Sequence, residues 1–179
     1  MDISYTVINR KIKNPRLEFK LGQFQVVIPQ GVNFDIPAFL LRHKHWIHKR
    51  MTEFMKLMDQ VESLELQPRL FAEFEQEVQS IILDHAKVLN VAPKIIKYKT
   101  MRSRWGSCNG AGVITLNLKL RYFSRKMVGY VVFHEMAHLV EKNHGKRFYQ
   151  LLIKSYLDYK SLDKELRAYD YLLHKNTFK

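Results

Sequence analysis

His134-Glu135-Met136-Ala137-His138 sets two imidazoles four residues apart with a carboxylate between them. On an α-helix, residues i and i+4 differ by about 40° around the axis, so both rings leave one face close together. That is the separation of two corners of a tetrahedral zinc site, and Glu135 is placed to take a proton from a water that the metal activates. Two ligands are too few for a catalytic zinc. A third candidate, His144, lies six residues beyond His138 in Glu141-Lys142-Asn143-His144-Gly145. In an unbroken helix six residues rotate about 240°, so His144 reaches the pair only if the helix ends near Lys142 and the chain turns back. Asn143 and Gly145 both tolerate the positive φ such a turn can need.

The chemistry such a set runs is hydrolysis. The metal lowers the pKa of a water and polarises the carbonyl under attack, and Glu135 acts as the base. A donor for the developing oxyanion has four candidates, Tyr130, Tyr149, Arg102 and Arg104, among which the sequence does not choose. Two histidines on a helix can also be ordinary. Against that stand the apolar flank Val131-Val132-Phe133, which buries the helix and makes an unused charge there costly, and a third histidine in reach.

Other residues invite the same scrutiny. His43, His45 and His48 crowd together, but His43 and His45 are 200° apart on a helix and basic neighbours repel a cation, so the cluster reads as a solvated basic face suited to an anionic partner. His85 and His174 stand alone and read as ordinary. Cys108, the only cysteine, has no disulfide partner and reads as a small buried apolar group, with Trp105 and Gly106 as structural support.

These groups need elements to hold them. Alternation predicts short strands at Tyr5–Ile8, Leu17–Leu21 and Phe24–Ile28 in a small antiparallel sheet, then a helix capped by Asp35 and running to about Ser63. A second helix is expected from about Arg69 to Leu89, and strands at Ile95–Tyr98 and Val113–Leu120. Ser124 caps the helix that carries the histidines, expected from Met127 to about Val140, and helices follow at about Lys146–Leu157 and Leu162–Leu173.

The 179 residues carry 30 Lys+Arg against 17 Asp+Glu, a formal charge of +13. Residues 91–130 hold nine basic residues and no carboxylate, which points to nucleic acid or a nucleotide as a possible partner. At 46% hydrophobic residues the chain can build a core, which excludes global disorder, and no run approaches the roughly 20 apolar residues that span a bilayer. The start, Met1-Asp2-Ile3-Ser4-Tyr5, has no signal-peptide pattern, so a cytoplasmic protein with no membrane partner is expected.

Ser103-Arg104-Trp105-Gly106-Ser107-Cys108, the strand Ile114-Thr115-Leu116-Asn117, and the His-Glu-x-x-His helix followed by Asn143-His144 and Phe148 resemble the YgjP-like zinc metallopeptidase family, which is related to the SprT-like and WLM proteases. The resemblance is sharpest over residues 102–150 and weaker over most of the rest. It implies an α+β fold: a small zincin-like domain with an antiparallel or mixed sheet, a backing helix and a zinc-binding active-site helix, preceded by an N-terminal β-hairpin region and helix. The expected division is 1–66 for the N-terminal sheet and helix region and 67–179 for the catalytic domain. The resemblance also implies His134, His138 and His144 as Zn²⁺ ligands and Glu135 as general base. Metzincins share this ligand spacing, but they place a Gly three residues after the second His, where this chain has Glu141.

Three activities follow. The first is a zinc metallopeptidase cutting polypeptide, with extended substrate added to a sheet edge near Val113–Leu118. The second turns the same site to nucleotide pyrophosphate or phosphoester hydrolysis, an assignment attached to the YgjP-like family. The third is a DNA-associated protease or DNA-binding module, by analogy with SprT-like and WLM proteins.

Overall fold

The computed structural model describes residues 4–20, 22–62 and 66–177. The chain divides into two compact units, Met1–Ser63 together with Tyr171–Lys179, and Leu64–Asp170. The C-terminal residues 171–179, expected with the second unit, group with the first.

In the first unit β1 (Tyr5–Arg10), β2 (Arg16–Lys20) and β3 (Gln23–Pro29) form a sheet in the order β1-β3-β2. β2 runs antiparallel to β3 and β1 runs parallel to it, so the sheet is mixed where an antiparallel one was expected. Alternation marks strands without naming partners, and β3 takes the centre because its Phe24, Val26, Val27 and Ile28 are all buried. Gly22, at φ 82° in the β2–β3 turn, leaves room for the Phe54 ring, which a Cβ there would approach to 2.6 Å. The single helix expected from Asp35 to Ser63 is two, α1 (Ile36–Arg42) and α2 (Lys44–Glu62). Asp35 caps α1 by accepting from Ala38 N at 2.9 Å. His43 ends it, its Nδ1 hydrogen-bonding the Phe39 carbonyl at 2.8 Å. Val26, Ile28 and Phe39 centre a core that Leu17, Phe34, Ile36 and Leu40 flank.

The second unit carries the histidine motif. α3 (Phe71–Leu89) packs along α4 (Arg125–Ala137), which also touches β5, β6 and α5. The Glu73 carboxylate accepts from Leu70 N at the start of α3, and Asn90, in the left-handed region at φ 54°, ends it. Arg69 ties α3 to the 3-10 turn Leu118–Tyr122: its guanidinium donates to the carbonyls of Leu120, Arg121 and Phe123 and pairs with Glu77. β4 (Ile95–Lys99), β5 (Gly106–Cys108) and β6 (Val113–Asn117) make a sheet in the order β4-β6-β5, with β4 parallel and β5 antiparallel to β6.

Two expectations fail here. Strand β6 stops at Asn117, whose side chain accepts from Lys119 N and starts the 3-10 turn, so residues up to Leu120 are not strand. It is also the central strand, so the sheet edge beside α4 is β5, a three-residue strand that alternation could not reveal. α5 (Lys146–Ser155) and α6 (Tyr159–Thr177) complete the order. No helix among the described residues is long and apolar enough to cross a membrane.

Candidate active site

α4 is buried at every position from Met127 to Ala137 except His134. Ser124 caps it, its hydroxyl accepting from Met127 N at 3.4 Å. The motif's polar groups open into a cavity of about 890 Å³ whose walls include His134, Glu135, His138, His144, Gly106 and Arg104.

The helix ends earlier than Val140 or Lys142. Leu139 N donates to Met136 O and Val140 N to Ala137 O, the tight i to i−3 pattern of a closing turn, and Glu141 N returns to Ala137 O at 2.8 Å. The apolar run Leu139-Val140 continues the helical pattern, but the chain must leave the helix at once for His144 to come back. His138 fixes that turn itself. Its Nδ1 lies 3.1 Å from the Glu141 carbonyl, and since a carbonyl only accepts, Nδ1 carries the proton and Nε2 presents a lone pair.

His144 does return to the pair. Its Nε2 lies 3.1 Å from His138 Nε2 and 3.0 Å from His134 Nε2. Nitrogens at 2.0–2.1 Å from a tetrahedral zinc are about 3.3 Å apart, so these three are within a few tenths of an ångström of metal-binding geometry. Among the described residues this trio is the one cluster of at least three His, Cys, Asp or Glu able to hold a metal ion. Phe148, fully buried, supports all three rings, stacking on His138 and meeting the other two edgewise. Burial, reinforced by the other two imidazoles, pushes His134 down to about 4, and burial also lowers His138. Both therefore stay neutral, the form that binds a metal.

Glu135 is 7% exposed, and burial raises its carboxyl to about 7 against the pull of the Arg104 charge. The close neighbour is Gly106 of β5: a Cβ on that residue would lie 2.5 Å from Glu135 Cγ and 2.6 Å from Oε1. Gly106, expected as structural support in preference to lining the site, is thus the gap in the sheet that admits the carboxylate. A glycine inside a strand marks such close approaches, which is the signal the sequence carried.

Of the four oxyanion-donor candidates, Tyr130 and Arg104 line the metal cleft, whereas Arg102 lines a neighbouring cavity and Tyr149 is on neither wall. The Tyr130 hydroxyl donates to Asp163 Oδ1 at 2.6 Å, a partner on α6 that no motif marks. Burial and the Asp163 carboxylate hold that hydroxyl far above its ordinary value. The Cys108 thiol, half-buried on the cleft wall rather than buried as expected, is pushed up by burial and by the Glu135 charge, which argues against a thiolate. Trp105 packs edgewise on Phe123, with centroids 4.7 Å apart. His43 serves as a helix end and His45 and His48 are exposed. His85 bonds the Gly129 carbonyl of α4 at 3.0 Å, and the side chain of His174 lies outside the described residues.

Two solved structures are similar in part. The metallopeptidase zymogen abylysin of Pyrococcus abyssi is 18% identical, with a TM-score of 0.44 over 50% of this chain and 90% of that one. The metallopeptidase zymogen jannalysin of Methanocaldococcus jannaschii is 21% identical, with a TM-score of 0.45 over 58% and 91%. No curated protein matches the sequence. The YgjP-like metallopeptidase domain, by contrast, matches residues 62–169, more than half of the chain and all but the last residue of the unit that holds the three histidines. Convergent imidazoles of the right spacing, a buried carboxylate beside them and that match agree, and the chain belongs to the YgjP-like family of zinc-dependent metallopeptidases.

Proposed function

We propose that this chain hydrolyses peptide bonds with His134, His138 and His144 as the three zinc ligands and Glu135 as the general base. The observation that carries the reading is the meeting of three Nε2 atoms at 3.0 and 3.1 Å, with the His138 tautomer set by the Glu141 carbonyl. Zinc bound there supplies a Lewis acid that brings the pKa of a water towards 7 and polarises the carbonyl under attack.

The chain's own residues do the rest. The Glu135 carboxylate, held against Gly106 at the cleft wall, accepts the proton of the attacking water and returns it to the leaving amine. The free edge of β5 receives the substrate as an added strand, in place of Val113–Leu118, because β5 pairs with β6 on one side only. Backbone hydrogen bonds then align the chain while the walls of the cleft select side chains.

The test is metal removal. The protein stripped by a chelator should lose cleavage of an unstructured protein, and stoichiometric zinc should restore it. Cleavage undiminished after complete removal, verified by plasma mass spectrometry, would sink the proposal.

A further inference from the structure

A smaller cavity of about 230 Å³ adjoins the metal cleft within the same unit. Arg102, Ser103, Arg104 and Arg167 line it together with Asp170. Arg104, Trp105 and Leu166 line both cavities, so the two share a wall. Among the described residues no salt bridge joins any of the three arginines to a carboxylate, although the Arg104 charge also acts on Glu135 across the shared wall. The contrast is with Arg125 and Lys126 of the same basic segment, which reach Glu77 and Asp84 and Asp158 respectively. Asp170, the one acid of the lining, is engaged in an interaction of its own. The loop that bears two of the arginines is held in place: Asn117, 2% exposed, donates from Nδ2 to the carbonyls of Met101 and Arg104, both at 2.9 Å, and its Oδ1 accepts from Met101 N.

We propose that this cavity is an acid-binding subsite of the peptidase, taking the carboxylate of an Asp or Glu side chain close to the bond that is cut, and that it makes acidic polypeptide segments the preferred substrate. The proposal rests on the peptidase reading for what crosses the cleft, but carboxylate binding does not depend on turnover. Three arginines against one engaged acid give the lining a net positive charge, and guanidinium recognises carboxylate with paired, charge-assisted hydrogen bonds. Position supports it too. Arg104 lies two residues before β5, and an extended strand advances about 3.3 Å per residue, so a side chain reaching this recess belongs to a residue near the scissile bond. Nucleic acid fits less well, because binding a phosphate backbone relies on repeated contacts along an open face, and here the cations meet in a recess that shares a wall with the cleft.

The probe is a labelled unstructured peptide carrying one Glu, with its Gln counterpart, titrated by fluorescence anisotropy into zinc-loaded Glu135→Gln protein. The Glu peptide should bind about tenfold or more tightly than the Gln peptide, the order of one charged hydrogen bond. Added salt should shrink the difference. Combining Arg102→Gln with Arg167→Gln should abolish it, and both residues are exposed, so the fold survives. Arg167→Lys should keep part of it. In wild type, kcat/KM should show the same preference. Equal affinity for the two peptides, or a preference unchanged in the double variant, overturns the proposal. So does a single-stranded oligonucleotide whose binding the double variant loses while the Glu preference stays, since the arginines would then serve nucleic acid. If wild type cuts neither peptide while Glu135→Gln still prefers Glu, the peptidase reading falls and the subsite stands. If wild type cuts both equally, the reverse holds.

Discussion

Replacing Gly106 by Ala adds one methyl group to the strand beside the metal cleft, and the consequence can be worked out from the structure. The new Cβ would stand 2.5 Å from Glu135 Cγ, 2.6 Å from Oε1 and 2.8 Å from Cδ. Ordinary carbon contacts are about 3.5–4.0 Å, so about 1 Å of movement must be found. Gly106 has no positive φ, so the substitution brings no backbone strain, and the displacement falls on the contact itself. Glu135 is buried on α4, and the contact begins at Cγ rather than at the tip, so rotating the end of the side chain does not relieve it. A base displaced by about 1 Å costs on the order of 100-fold in rate, which is about 2.7 kcal/mol of transition-state stabilisation. The assay is kcat/KM on one unstructured substrate, with zinc content and thermal midpoint measured beside it. We expect Gly106→Ala to keep its zinc and lose about two orders of magnitude in kcat/KM. Gly110→Ala, whose Cβ meets nothing within 4 Å in the same hairpin, is the control and should be near wild type. A Gly106→Ala protein within threefold of wild type would show that the contact with Gly106 does not hold the base in place.

Three further outcomes are expected. In metal-free protein Glu135 holds its proton to about pH 7, whereas the unfolded chain releases it near 4.5, so folding stability falls as pH rises between those values by at most about 3 kcal/mol. Glu135→Gln should remove that slope in urea titrations of metal-free protein, leaving the variant more stable than wild type at pH 8 and equal to it at pH 4; parallel curves would contradict the burial argument. Asn117→Ala removes donors and acceptors that serve Met101, Arg104 and Lys119, and should cost about 2–4 kcal/mol in chemical denaturation, against a fraction of that for a surface Asn. His138→Ala and His144→Ala should each lose or markedly weaken zinc binding, and plasma mass spectrometry showing full occupancy in both would contradict the ligand set.

The chemistry was more legible than the frame around it. The i, i+4 spacing of His134 and His138 is a property of helix geometry alone, so it survives translation from sequence to structure, and the place of His144 followed once a turn was required. The exact turn was hidden because Leu139 and Val140 look like one more helical step, while the force that ends the helix is the His138 contact with the Glu141 carbonyl, visible only in three dimensions. β5 escaped notice because three residues containing a glycine carry no periodicity, and with it went the identity of the sheet edge. The break at His43 was hidden for a similar reason: its ring bonds a carbonyl one turn back, a local competition that hydrophobic spacing does not record. The central place of β3 depends on which strand is the most apolar, a comparison between strands rather than a pattern within one.

Glu135 is proposed to move the proton at a three-histidine zinc site. The direct measurement loads wild type and Glu135→Gln with zinc, confirms equal occupancy, and follows an unstructured protein by gel and mass spectrometry. New termini should form with wild type only, at unchanged zinc content. Equal cleavage by Glu135→Gln would contradict that role, because the carboxylate beside His134 would then have no part in the reaction.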